Sequence, residues 1–150
     1  MNKYNIENNY NKTNNEYVVN CDEYGVNNIF EYDDIILELL DCDISDFKYN
    51  ENKLLIKNHD NTEIGKISIS IYDDIYIELI DIHDEYQRKG YGTKTIQWLK
   101  EIARQFNISV IFGESRATLY DFYTKQGAVY ENRRPGDEEY ILNRFYIDID

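Results

Sequence analysis

The sequence predicts an α/β (α+β) domain with a mixed, mostly antiparallel central sheet and helices on both faces. Two observations carry this expectation. In "EIGKISISIY" (63–72), Ile67, Ile69 and Ile71 alternate with Lys66, Ser68 and Ser70, the pattern of a half-buried antiparallel strand. From residue 75 to 127 a strand–helix–strand–helix run follows, the pattern that sets strands in parallel.

The elements follow in order. Residues 1–15 are dominated by Asn and are expected to be a flexible tail, leaving 16–150 as a single domain. "EYVVNC" (16–21) reads as a first strand. "YDDIILELLD" (32–41) sets Ile35, Ile36, Leu39 and Leu40 on one helical face, with Asp33 and Asp34 where a helix N-terminus favours them, so a short helix is expected. A strand is expected near 53–57, then turn formers at 59–65, then the alternating strand. "IYIELIDI" (75–82) is apolar on both sides except at Glu78 and Asp81, which predicts a central strand covered on both faces. Ile96, Leu99, Ile102, Ala103 and Phe106 recur at helical spacing and predict a helix over 91–106. "ISVIFGE" (108–114) reads as a strand. "ATLYDFYTKQG" (117–127) reads as a helix closed by Gly127. Two strands are expected around the turn "RPGD" (134–137), which carries the single proline.

Composition narrows the function classes. A formal net charge of −13 opposes non-specific nucleic-acid binding, which needs Lys and Arg in excess, and suits cationic acceptors. No run approaches the 18 or so apolar residues of a membrane span, and the N-terminus lacks a signal-peptide stretch, so no membrane association and a cytoplasmic location are expected. Cys21 and Cys42 stand apart, and His59 and His83 are scattered, so no metal site is expected.

The chemistry concentrates in "QRKGYG" (87–92), between a strand and a helix. The first N–H groups of a helix have no internal partner and lie at the positive end of its dipole. Gly90 and Gly92 let an oxygen-bearing ligand approach the backbone, with Arg88 and Lys89 at the rim. Neither GxxxxGK[ST] nor GxGxxG is present, and the two glycines by themselves fit a plain tight turn equally well.

"QRKGYG" resembles the Q/R-x-x-G-x-G/A signature of the GCN5-related N-acetyltransferase (GNAT) superfamily, and the lead-in "IELIDIHDEYQRKGYG" is similar to that family's strand-plus-loop segment. "ATLYDFYTKQGAV" (117–129) resembles its second block, with Tyr123 four residues before Gly127. The likeness covers about two thirds of the chain; residues 1–52 show no such match. It implies the acyl-CoA N-acyltransferase fold and acetyl-CoA as acyl donor. It implies that backbone amides from Arg88 through Lys89, Gly90, Tyr91 and Gly92 to Thr93 hold the pyrophosphate, with Gln87 also among the cofactor-binding residues. It also implies that the main chain from Ile80 to Ile82 pairs with the pantetheine arm.

The implied activity is acetyl transfer to a primary amine, of a small molecule or of a peptide lysine or N-terminus, directly within a ternary complex. No cysteine lies near the motif to form an acetyl-enzyme. Tyr123 is the candidate acid for the departing thiolate, since a phenol of ordinary pKa near 10 can donate to it. Glu114, at the end of its strand, is the candidate base, and Asp81 and Glu78 are candidates for holding a cationic acceptor. Many relatives carry an Asn between this strand and the tyrosine helix. Here "ESRATLYD" has none, and Ser115 or Thr118 is the available substitute. The rival reading is a non-catalytic acyl-CoA-binding or regulatory module, and a homodimer is compatible with either.

Overall fold

The computed structural model describes residues 18–21, 27–40, 44–131 and 141–150. The tail, Cys42 and the "RPGD" turn lie outside these. Among the described residues nine strands form one sheet: β1 (Val18–Cys21), β2 (Asn27–Tyr32), β3 (Ile35–Leu39), β4 (Asn50–Asn58), β5 (Glu63–Ile71), β6 (Ile75–Ile82), β7 (Val110–Ser115), β8 (Val129–Tyr130) and β9 (Asn143–Asp148). Their spatial order is β1-β2-β3-β4-β5-β6-β7-β9-β8, and of these described strands only β6 and β7 pair in parallel. Helix α1 (Tyr91–Gln105) makes the crossover between them, and α2 (Tyr120–Lys125) follows β7 after a 3₁₀ turn at Ala117–Leu119.

The expected helix at 32–41 is instead a hairpin. Tyr32 pairs with Ile35 across the two-residue turn Asp33-Asp34, where Asp33 takes φ +54°. Ile35, Leu37 and Leu39 are fully buried while Ile36, Glu38 and Leu40 are only half-buried. The segment satisfies both a helical and a strand period over so few apolar residues, and the neighbouring β2 and β4 edges decide for the strand.

Cross-strand partners share a face, so the ladders locate the core. Leu37, Ile56, Ile67, Ile69, Ile77 and Phe145 line one side of the sheet. Trp98 of α1 meets Phe30 of β2 on that side, ring centroids 5.3 Å apart, and Phe47 packs beside them. Tyr123 of α2 stacks on Phe145 at 4.3 Å. Both helices therefore lie over the same face. With residues 32–41 in the sheet, no described helix covers the other face, which carries Lys53, Glu78, Glu114 and Arg144 in solvent.

Strand β6 holds the feature that shapes the site. Ser68 pairs with Leu79 but Ile69 pairs with Ile77, so Glu78 is one residue too many and forms a bulge. Ile75 and Ile77 precede it on the core face; Ile80 and Ile82 follow it on that same face. The run that reads as apolar on both sides is thus one buried face whose phase slips by one residue. Glu78, Leu79 and Asp81 are exposed.

Candidate active site

The parallel ladder between β6 and β7 joins Ile75–Ile111, Tyr76–Phe112 and Ile77–Gly113, and stops there. Beyond it β6 runs on to Ile82 and β7 to Ser115 without pairing, so the sheet splits at the bulge. Gly113 stands at the fork: a Cβ there would come within 3.1 Å of the Ile77 carbonyl oxygen and 3.0 Å of the Phe145 ring. The backbone of residues 78–82 keeps β5 on one side and has no strand on the other.

At the end of β6 the chain makes a 3₁₀ turn (Asp84–Tyr86) and enters α1. The Gln87 side chain folds back to donate to the Ile82 carbonyl at 2.8 Å and to Asp84 at 3.3 Å, closing the loop. Arg88 adopts φ +62° and Gly90 φ +88°. The first helical bond runs from the Lys94 N–H to the Gly90 carbonyl at 3.0 Å. Among the described residues nothing accepts from the backbone N–H groups of 88–93, and no side chain caps the helix. Those donors lie at the positive end of a 15-residue helix, an arrangement that favours an anion.

The two glycines have different duties. A Cβ on Gly90 would meet nothing within 4 Å, so its value is its positive φ. A Cβ on Gly92 would sit 3.1 Å from the Phe122 ring, so Gly92 lets α1 and α2 approach. Gln126, just past the end of α2, completes that contact, its side chain donating to the Thr93 hydroxyl at 3.1 Å and its backbone carbonyl accepting from Lys100 at 2.6 Å. Lys94, in the first turn, is engaged by Asp34 at 2.5 Å and Asp33 at 3.7 Å, which raises its pKa and lowers that of Asp34. Arg88 and Lys89 remain exposed at the rim.

A cleft of about 570 Å³ joins these parts. Ile80, Asp81, Ile82, Gln87, Arg88, Gly90, Tyr91, Gly92, Thr93 and Tyr123, all expected from the sequence, line it; Lys89 does not. Tyr86, Leu119 and Phe122 line it too. Leu119 and Phe122 show in the sequence only as members of a helical face, while Tyr86, which meets Tyr91 edge-on at 6.3 Å, carries no signal. Of the two substitutes for the missing Asn, Thr118 lines the cleft, whereas Ser115 turns away to Tyr130. Tyr123 is 5% exposed, and burial pushes its phenol well above the ordinary value, with Tyr130 a smaller contributor. It stays protonated throughout the physiological range.

Glu114 is on the opposite face from Tyr123, outside the cleft lining, on the β7 side of the fork. The Tyr76 hydroxyl donates to it at 3.4 Å, and Tyr76 packs against Phe112 at 5.0 Å. Burial and the adjacent Glu114 carboxylate raise the Tyr76 pKa. Glu78 is on that face on the β6 side, accepting from the Ser70 hydroxyl at 3.2 Å. Glu78 and Glu114 thus flank the fork, one on each strand, with Asp81 further along β6, and Tyr123 approaches from the helix side. Cys21 is on β1, separated from β6 by four strands.

Residues 15–128 match the Acetyltransferase (GNAT) family. The chain belongs to that family. No curated protein matches its sequence. Among solved structures it is similar to a putative streptothricin acetyltransferase from Bacillus anthracis in complex with acetyl coenzyme A, with 20% identity, a TM-score of 0.58, and 80% of this chain and 90% of that one covered. It is also similar to the PaiA N-acetyltransferase of Thermoplasma acidophilum in complex with coenzyme A (17%, TM-score 0.56, 66% and 61% covered). A third is the ribosomal-protein-S18-alanine N-acetyltransferase of Escherichia coli (16%, TM-score 0.57, 67% and 70% covered). The mixed, mostly antiparallel sheet with its two helices is the fold of these acyl-CoA N-acyltransferases.

Proposed function

We propose that this GNAT protein transfers the acetyl group of acetyl-CoA to a primary amine, directly and within a ternary complex. The observation that carries the reading is the row of unpartnered N–H groups at 88–93, set at one end of a split sheet with a buried tyrosine beside the split. The resident ligands of the B. anthracis and T. acidophilum structures are of the class such a cleft suits.

In this reading the pyrophosphate rests on the amides of residues 88–93. The pantetheine arm lies along the unpaired side of Ile80–Ile82, with Thr118 in reach of its amides, and the thioester enters the fork. The acceptor comes from the opposite face as an ammonium drawn by Asp81 and Glu78. Glu114, held by Tyr76, takes its proton directly or through a water. The free amine then attacks the thioester carbonyl, and the tetrahedral intermediate collapses by breaking the C–S bond. Tyr123 gives its proton to the departing thiolate, and the second proton shed by the new amide nitrogen returns to the tyrosinate, as its raised pKa favours, while Glu114 releases the first to solvent. The distance of Cys21 from the fork favours direct transfer over an acetyl-enzyme.

The test is release of CoA thiol from acetyl-CoA across a panel of small amines and lysine-bearing peptides, with calorimetry of CoA binding alongside. Turnover with at least one amine supports the proposal. Tight CoA binding without turnover on any amine would leave a non-catalytic acyl-CoA module, and absence of CoA binding by the folded protein would sink both.

A further inference from the structure

Past Gly113, β7 is held in the sheet only by β9, so something other than β6 must fix the position of the fork's free side. Four side chains supply it. The Ser115 and Tyr130 hydroxyls are hydrogen-bonded at 2.6 Å. The Tyr130 ring packs on the Tyr120 ring, centroids 4.6 Å apart. The Tyr120 hydroxyl accepts from the Asn143 amide, and Asn143 is the ladder partner of Ser115. The contacts close into a ring that joins the end of β7, the β8–β9 edge and the first residue of α2. Ser115, Tyr120 and Asn143 are buried at 3%, 4% and 8% exposure, and none of the four touches the cleft.

Tyr123 sits one helical turn beyond Tyr120, and its ring stacks on Phe145, the partner of Gly113. We propose that Ser115, Tyr120, Tyr130 and Asn143 are positioning residues that bind the free side of the fork and α2 into one rigid body. They thereby set where the Tyr123 hydroxyl stands relative to the thioester. This rests on the proposed role of Tyr123. An apolar filling of the same volume would bury as much surface but would not fix direction; buried hydrogen bonds do, because breaking one leaves a desolvated group behind.

The experiment combines hydrogen–deuterium exchange and kinetics on the full chain carrying Tyr120→Phe, Ser115→Ala or Ser115→Thr. Each of the first two removes one hydroxyl from one segment, yet exchange is expected to rise in both 113–115 and 120–125. Ser115→Thr keeps the hydroxyl and is expected to retain the wild-type pattern, so the serine pair decides the matter if Tyr120→Phe does not fold. In turnover, kcat is expected to fall about tenfold or more while KM for acetyl-CoA stays within about twofold, because the phosphate turn belongs to α1. Exchange rising only in the substituted segment would overturn the proposal, as would coupled loosening with unchanged kcat. If the wild type turns over no amine, the catalytic reading fails, and with it the role of Tyr123; the exchange pattern still decides whether the ring couples the two segments.

Discussion

The two sides of the fork are built by different means. On the β6 side the main chain does the work. Its ladder with β5 runs unbroken from Leu79–Ser68 to Ile82–Gly65, and beyond it comes a turn whose useful groups are backbone N–H. On the β7 side the main chain likewise has one neighbour, β9, and side chains add to its hold: Ser115, Asn143, and two tyrosines. Backbone binding tolerates almost any side chain except where one would intrude. Side-chain positioning does not, since each member is specified by shape and hydrogen bonding. In the proposed reaction the first side holds a constant cofactor and the second presents the groups that do chemistry.

The largest effect is expected on the second side. Tyr123→Phe is expected to lower kcat by about 10² to 10³-fold, the range of a lost general acid, with CoA affinity and thermal stability nearly unchanged. Among the described residues no hydrogen bond depends on the Tyr123 hydroxyl, and the stacking on Phe145 survives the change. Stopped-flow and steady-state kinetics check it; an unaltered kcat would remove Tyr123 from the chemistry. Next comes Glu114→Gln, expected to lower kcat by about 10 to 10²-fold, whereas Glu78→Gln is expected to act mainly on the KM of the amine. An opposite assignment, with Glu78→Gln carrying the kcat loss, would move the base to the other side of the fork.

A smaller effect is expected on the backbone side. A Cβ at Gly65 would lie 2.2 Å from the Asp81 carbonyl oxygen, so Gly65→Ala must displace the very segment proposed to pair with pantetheine. Overpacking of this kind costs about 1–3 kcal/mol. Weaker CoA binding by calorimetry, together with a lowered Tm, is the expected result. A lowered Tm with full CoA affinity would show that the 80–82 main chain does not carry the cofactor.

The same contrast explains what could be read from the sequence. "IYIELIDI" and the helix after it are matched residue for residue by β6 and nearly so by α1, because long periodic runs leave little choice. The turn into α1 is legible because its requirement, a glycine at positive φ opening a helix, is local. Residues 32–41 read as a helix because five apolar residues in six fit two periods, and only the neighbouring strands choose between them. The bulge was invisible for a related reason: an extra residue in a strand looks like a second apolar face. The Ser115–Tyr130–Tyr120–Asn143 ring could not be read at all. Its members are 28 positions apart at the extremes, and with fifteen tyrosines in the chain no pattern marks the two that matter.

The smallest expected effect joins the first turn of α1 to the β2–β3 hairpin. Lys94 lies near the positive end of its helix, where its own charge is disfavoured, and Asp34 and Asp33 offset this. Hydrogen bonding to Lys94 holds the Asp34 carboxyl below its ordinary value of 3.8. A depressed carboxylate pKa contributes stability that is present above 3.8 and lost as pH falls through the lower folded value. The Asp34 side chain is 39% exposed, so solvent screening reduces the pair to about 1 kcal/mol or less. Asp34→Asn is therefore expected to lower Tm by only a few degrees at pH 7, and the difference from wild type is expected to shrink below pH 4. Because Lys94 would lose the nearer of its two carboxylate partners, the same variant is expected to bind CoA slightly more tightly at low salt. Titrations at two ionic strengths check this. Unchanged CoA affinity at low salt would show that Lys94 stands too far from the phosphate turn to contribute, leaving the unpartnered amides of 88–93 to hold the anion without it.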